Sequence, residues 1–194
     1  MAFVVVYDAC FLYGNTQRDL LIRIAQSGLV QAKWTNAILD ELQKNLTAGR
    51  PDIPVEKLIR LRTLMNRAVP DALVEGYEPL IEALKLPDLE DRHVLAAAIK
   101  AQAQVIVTSN LRDFPADMLE PWNVEAKSPD DFVLDQIDFD DRVVWACVQQ
   151  IVDSRNNPPE TVEDVLDALE RAGLVESVAA LRTRSHRGFS TRGL

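Results

Sequence analysis

The stretch "DRHVLAAAIKAQAQVIVTSNLRDF", residues Asp91–Phe114, decides the fold. With the residues before it, "PDLEDRHVLAAAIKAQA" is rich in alanine and opens on acids suited to cap a helix. The following "QVIVTSN" is an apolar run that ends in polar residues, the pattern of a strand buried on both faces. A helix leading into such a strand is half of a parallel crossover unit. Near the N-terminus, "FVVVYDAC" (Phe3–Cys10) repeats the strand half, with five β-forming residues running straight into Asp8. In an open α/β sheet the carboxyl ends of the strands form the crevice where ligands bind. Asp8 is therefore either a cap for the next helix or part of a site.

Outward from these two strands the pattern is mostly helical. Leu20, Leu21 and Ile24 give Thr16–Ser27 a helical spacing that Gly28 ends, and a second helix starts at Thr35, a natural N-cap, and runs to about Leu46. After the breaker "GRPDIP", Val55 to about Arg67 carries Leu58, Leu61, Leu64 and Met65 on one side. A short strand is expected at Ala72–Val74 and a short helix before Pro87. "WNVEAKSP" reads as one more strand, and "PDDFVLDQI" as a helix beside it. From Asp138 onward only helical patterns occur, joined by the breaker "RNNPPE". The expected division is an α/β domain over 1–137, an all-α appendage over 138–181 and a mobile basic tail, "RTRSHRGFSTRGL", over 182–194.

A chain of 194 residues with 47% hydrophobic and 26% charged residues is long enough to bury a core and ordinary for a soluble globular protein. Its apolar runs are too short to cross a bilayer and its N-terminus lacks the pattern of a signal peptide, so a cytoplasmic location with no membrane partner is expected. Two cysteines, Cys10 and Cys147, make no disulfide framework and read as small packed hydrophobes. A net charge of −9 argues against binding a polyanion through bulk charge. Carboxylates that hold divalent cations escape that objection, because the ions reverse the local sign where a phosphate must sit.

Acids stand where helices and strands meet: Asp8 after the first strand, Glu41 near the start of a helix, Asp88 and Asp91 ahead of the Ala-rich helix, and Asp113 after the second buried strand. Mg²⁺ or Mn²⁺ prefers such hard oxygen ligands, and paired metals activate water at a phosphodiester. Each acid also has a plain structural reading. Asp88 and Asp91 resemble a capping arrangement, Glu41 a solvated residue beside Lys44, and Asp113 a turn residue. Two histidines, His93 and His186, supply no multi-histidine zinc site. No Walker A, dinucleotide or G-x-S-x-G motif is present. The stretch "YDACF" lacks the second aspartate of a haloacid-dehalogenase nucleophile motif.

The succession of "VVVYDACFLY", "TNAILDEL" and "DRHVLAAAIKAQAQVIVTSNLRDF" resembles the PIN-domain family of metal-dependent ribonucleases, and within it the VapC-type toxins of toxin-antitoxin pairs. The resemblance covers about the first two-thirds of the chain. It implies a three-layer α/β/α sandwich around a parallel sheet, with 1–137 as the nuclease domain, and an endoribonuclease that hydrolyses RNA with Mg²⁺ or Mn²⁺. By it Asp8, Glu41 and Asp91 match the family's first three acids. The fourth falls to Asp113, or is partly lost to Asn110, which stands where many members have an acid. Asp88, Thr108 and Asn110 take auxiliary roles, and Arg92 and Arg112 are the local candidates for steering phosphate. The implied partners are RNA and a cognate antitoxin, and a homodimer is one expected form. Asn110 keeps open the alternative of a catalytically weak or inactive PIN-fold binding module.

Overall fold

The computed structural model describes the backbone of residues 3–10 and 14–189, with side chains through residue 183. In chain order the elements are β1 (Phe3–Tyr7), α1 (Asn15–Gln26), β2 (Val30–Lys33), α2 (Asn36–Gly49), α3 (Val55–Ala68), α4 (Glu78–Ile81), α5 (Arg92–Ala101), β3 (Val105–Val107), α6 (Ala116–Leu119), β4 (Glu125–Lys127), α7 (Pro129–Ser154), α8 (Val162–Arg171) and α9 (Val175–Phe189). The four strands form one wholly parallel sheet in the order β2-β1-β3-β4.

That order follows from the apolar runs. β1 lies between β2 and β3, with Val5 opposite both Ala32 and Val105, and Val5, Val6 and Tyr7 have no exposed surface. Only a strand covered on both faces by helices can be apolar at every position. The chain leaves β1 through α1 toward β2, then returns past β1 to reach β3 after α5. Right-handed crossovers in opposite directions put α1 and α5 on opposite faces, which gives the α/β/α layering. The direction reverses between β1 and β3, so a crevice opens beyond their carboxyl ends. Tyr7 anchors one layer: its hydroxyl donates to the Leu21 carbonyl at 3.2 Å, and its ring stacks on Trp34 and meets Phe132 edge-on.

Strand β2 has no counterpart in the sequence reading. It is four residues long, and Gln31 and Lys33 alternate with buried Val30 and Ala32. The expected strand at Ala72–Val74 is a single parallel bridge between Leu73 and Trp34, held by Trp34 N to Ala72 O and Val74 N to Trp34 O. On α3, Leu58 and Met65 are buried while Leu64 is half exposed.

The position 137/138 falls inside α7, just ahead of a break at Asp140, where φ −154° and ψ 90° are not helical. The Asp140 carboxylate accepts from the amides of Arg142 and Val143 and so starts the second half of the helix. That half buries Val144, Cys147, Val148 and Ile151, and α8 buries Val165, Leu166 and Leu169. Both α7 and α8 pack on α1, so the C-terminal helices and the sheet's covering layer share one hydrophobic core. Arg182, counted with the basic tail, lies in α9 and pairs with Glu163, Asp167 and Glu170. The rest of the expected mobile tail falls on the end of α9, which is helical to Phe189, and on residues outside the described ones.

Candidate metal centre

Asp8 continues β1 by one residue, its amide donating to the Val107 carbonyl at 3.1 Å. The side chain is 4% exposed. Its Oδ1 accepts from Ala9 N at 2.6 Å, and its Oδ2 from Thr108 Oγ1 at 2.7 Å and from the Cys10 thiol at 3.0 Å. Asp8 does not cap α1, whose N-cap position is Gly14. The parallel pairing of β1 with β3 brings the Asp8 and Thr108 ends of the two strands together.

Asp91 stands at the N-cap position of α5, yet its backbone is already helical and its side chain accepts no helix amide. A cap would orient that carboxylate along the helix axis and satisfy it; here it stays free of the helix. Asp88 Oδ1 accepts instead from Glu90 N at 2.8 Å, which closes the turn ahead of α5. Asp113 ends the 3-10 turn Leu111–Asp113, and Asn110 Nδ2 donates to its Oδ2. Asn110 therefore supports the neighbouring carboxylate with an amide. Among the described residues, Asp88, Asp91 and Asp113 each bring one oxygen within 4.8 Å of the other two.

The field on Asp91 reveals the wider group. Its pKa is raised from 3.8 to about 7, first by burial and then by the charges of Asp8, Asp88, Asp113 and Glu41. Five carboxylates from four regions of the chain therefore act on one another here. Among the described residues no Lys or Arg is ion-paired with Asp8, Asp88, Asp91 or Asp113. Glu41, one turn into α2, lies 3.8 Å from His93 Nε2. Thr35 places that turn, its hydroxyl accepting from Ile38 N at 3.1 Å. Arg92 turns its Nε to the Leu89 carbonyl at 2.9 Å, and Arg112 is exposed.

Like charges this close stay together only where a proton or a cation offsets their repulsion. The donor set is carboxylate oxygen, with no cysteine thiolate, since burial and the Asp8 charge push the Cys10 thiol up to about 11. Hard oxygen donors in excess of local positive charge fit Mg²⁺ or Mn²⁺. Asp88, expected as an auxiliary acid or a cap, stands among the three closest acids. One feature escaped the sequence reading. Cys10 is not a plain hydrophobe: it is hydrogen-bonded to Asp8, and a thiol in an apolar run carries no sequence signal of that. Cys147 is buried as expected.

Comparison with known proteins gives the same outline. Residues 129–183 match the family model described as the VapC50 C-terminal domain. The chain is 46% identical over 98 residues to a curated protein of Mycobacterium tuberculosis named "Putative ribonuclease VapC50", a match that covers 50% of this chain and 57% of that relative. No solved structure matches. The model of the PIN domain matches residues 4–112, which include β1, β3 and the acids from Asp8 to Asp91. With a parallel sheet whose order of connection reverses between β1 and β3 and acids gathered beyond their ends, the chain belongs to the PIN-domain family.

Proposed function

We propose that this protein is a metal-dependent endoribonuclease and the toxin of a toxin-antitoxin pair, acting on RNA in the cytoplasm. The observation that carries the reading is the gathering of Asp88, Asp91 and Asp113 within 4.8 Å of one another, with Asp8 and Glu41 close enough to act on Asp91, at the sheet's switch point. Such a cluster is unfavourable by itself, and a divalent cation relieves it. The name of the mycobacterial relative supports an activity on RNA.

In this reading Asp8, Glu41, Asp91 and Asp113 hold Mg²⁺ or Mn²⁺, with Asp88 auxiliary. The ion supplies the positive charge that admits an anionic phosphodiester and lowers the pKa of a water for attack at phosphorus. Asp8 is the rigid member, fixed by Thr108 and Ala9. Asp91 is the adaptable one, able to hold a proton near neutral pH when the cation is absent. Arg92 and Arg112 flank the acids in sequence and meet the phosphates on either side. Residues 138–181 form a helical unit that braces α1, and the arginines beyond Arg182 approach the RNA. The antitoxin, and dimerisation of the toxin, are proposed on the family resemblance.

Cleavage of RNA in Mn²⁺ by the wild type, Asp8→Asn and Asp91→Asn tests the reading. Each variant is expected to lose at least about a hundredfold in rate, because one missing ligand removes both ion and water activation. Asp88→Asn keeps the acceptor for Glu90 N and should lose less. Equal rates for wild type and Asp91→Asn would overturn the assignment. A wild type that binds Mn²⁺ and leaves RNA intact would favour the binding module.

A further inference from the structure

Cys10 stands at the joint between the loops that follow β1 and β3. Its thiol donates to Asp8 Oδ2 at 3.0 Å and accepts from the Ser109 amide at 3.2 Å. Thr108 Oγ1 donates to the same Oδ2 at 2.7 Å and lies 3.3 Å from the thiol. Thiol and hydroxyl have one proton each, and an ionised carboxylate is a stronger acceptor than either. Both protons therefore go to Oδ2, and the contact between sulfur and oxygen has none of its own. Oδ1 accepts from Ala9 N at 2.6 Å. A carboxylate has about four lone-pair directions. Among the described residues, two are occupied on Oδ2 and one on Oδ1, which leaves a single direction on Oδ1 for a further partner.

We propose that Cys10 is a positioning residue: its thiol ties the Asp8 carboxylate to the backbone of the loop after β3, so that Asp8 meets a divalent cation through one oxygen in a fixed orientation. The inference rests on the reading of the acids as a metal site. Thr108 and Ala9 anchor one direction on each oxygen but leave Oδ2 a second free direction. Cys10 closes that direction. Because its acceptor side takes Ser109 N, the same sulfur also sets the distance between the loop that carries Asp8 and the loop that leads to Asp113.

Calorimetric titration of the full chain with Mn²⁺ tests this. Partners that orient a metal ligand contribute about 10–100-fold in affinity, so Cys10→Ala is expected to bind Mn²⁺ at least about tenfold more weakly than the wild type. Cys10→Ser keeps a donor and an acceptor and should recover most of that loss. Cys10→Val fills the volume without a proton to give, and stands in if the alanine variant does not fold. Weak binding by the valine variant with recovery by serine, while all three melt alike in chelator, is the expected pattern. Equal affinity for wild type and Cys10→Val would overturn the role, and so would equal losses in valine and serine variants. A wild type that binds no Mn²⁺ would overturn the metal site itself, and the role of Cys10 with it.

Discussion

Asp91 has the clearest pH signature of any single residue. Its carboxyl ionises near 3.8 in the unfolded chain and at about 7 in the metal-free fold. Between those values the folded protein holds a proton that the unfolded chain has released, so stability falls as pH rises through that window. Below about 4 both states are protonated and the contribution is fully present; above about 7 it is lost. Melting of the metal-free protein between pH 4.5 and 8 should show this slope, and Asp91→Asn should flatten it. Identical slopes in the two proteins would mean that Asp91 is not the group responsible. At this scale the sequence was partly legible. Asp8, Glu41, Asp91 and Asp113 stand out as acids at element ends, but the role of the Cys10 sulfur and the closeness of Asp88 depend on where side chains turn, which neither spacing nor residue type encodes.

Among the elements, α2 shows how one cap places a candidate site residue. Thr35 is fully buried, follows the end of β2, and accepts from Ile38 N, so the first turn of α2 is fixed against the sheet and Glu41 follows one turn later. Thr35→Ala is expected to cost about 0.5–2 kcal/mol of stability, the usual range for a lost N-cap. Urea unfolding with an unchanged midpoint would contradict that. The cap and the helix were legible in "WTNAILDEL", as were β1, α5 and β3 in their unbroken apolar runs. β2 was not, because four residues are too few for the alternation of Val30 and Ala32 with Gln31 and Lys33 to stand out. The end expected for the helix "PDDFVLDQI" lies just ahead of the break at Asp140.

Over the whole molecule the C-terminal helices are part of one core with α1. Leu166 has no exposed surface, and α8 packs directly on α1. Leu166→Ala is expected to lower stability by about 2–5 kcal/mol, the cost of emptying a close-packed aliphatic site. If the core is shared, this variant unfolds in a single step at lower denaturant, by circular dichroism and tryptophan fluorescence alike. Two separated transitions would show that the helices fold apart from the sheet. The pairing of β1 has a further consequence during synthesis. The strand made first lies in the middle of the sheet, and the Asp8–Thr108 bond closes a loop of 100 residues. A chain growing at about 5–20 residues per second spends several seconds with β1 made and one of its two neighbours still missing. Until β3 and the turn to Asp113 have left the ribosome, the acids stay apart, so a truncated nascent chain has no assembled acid cluster.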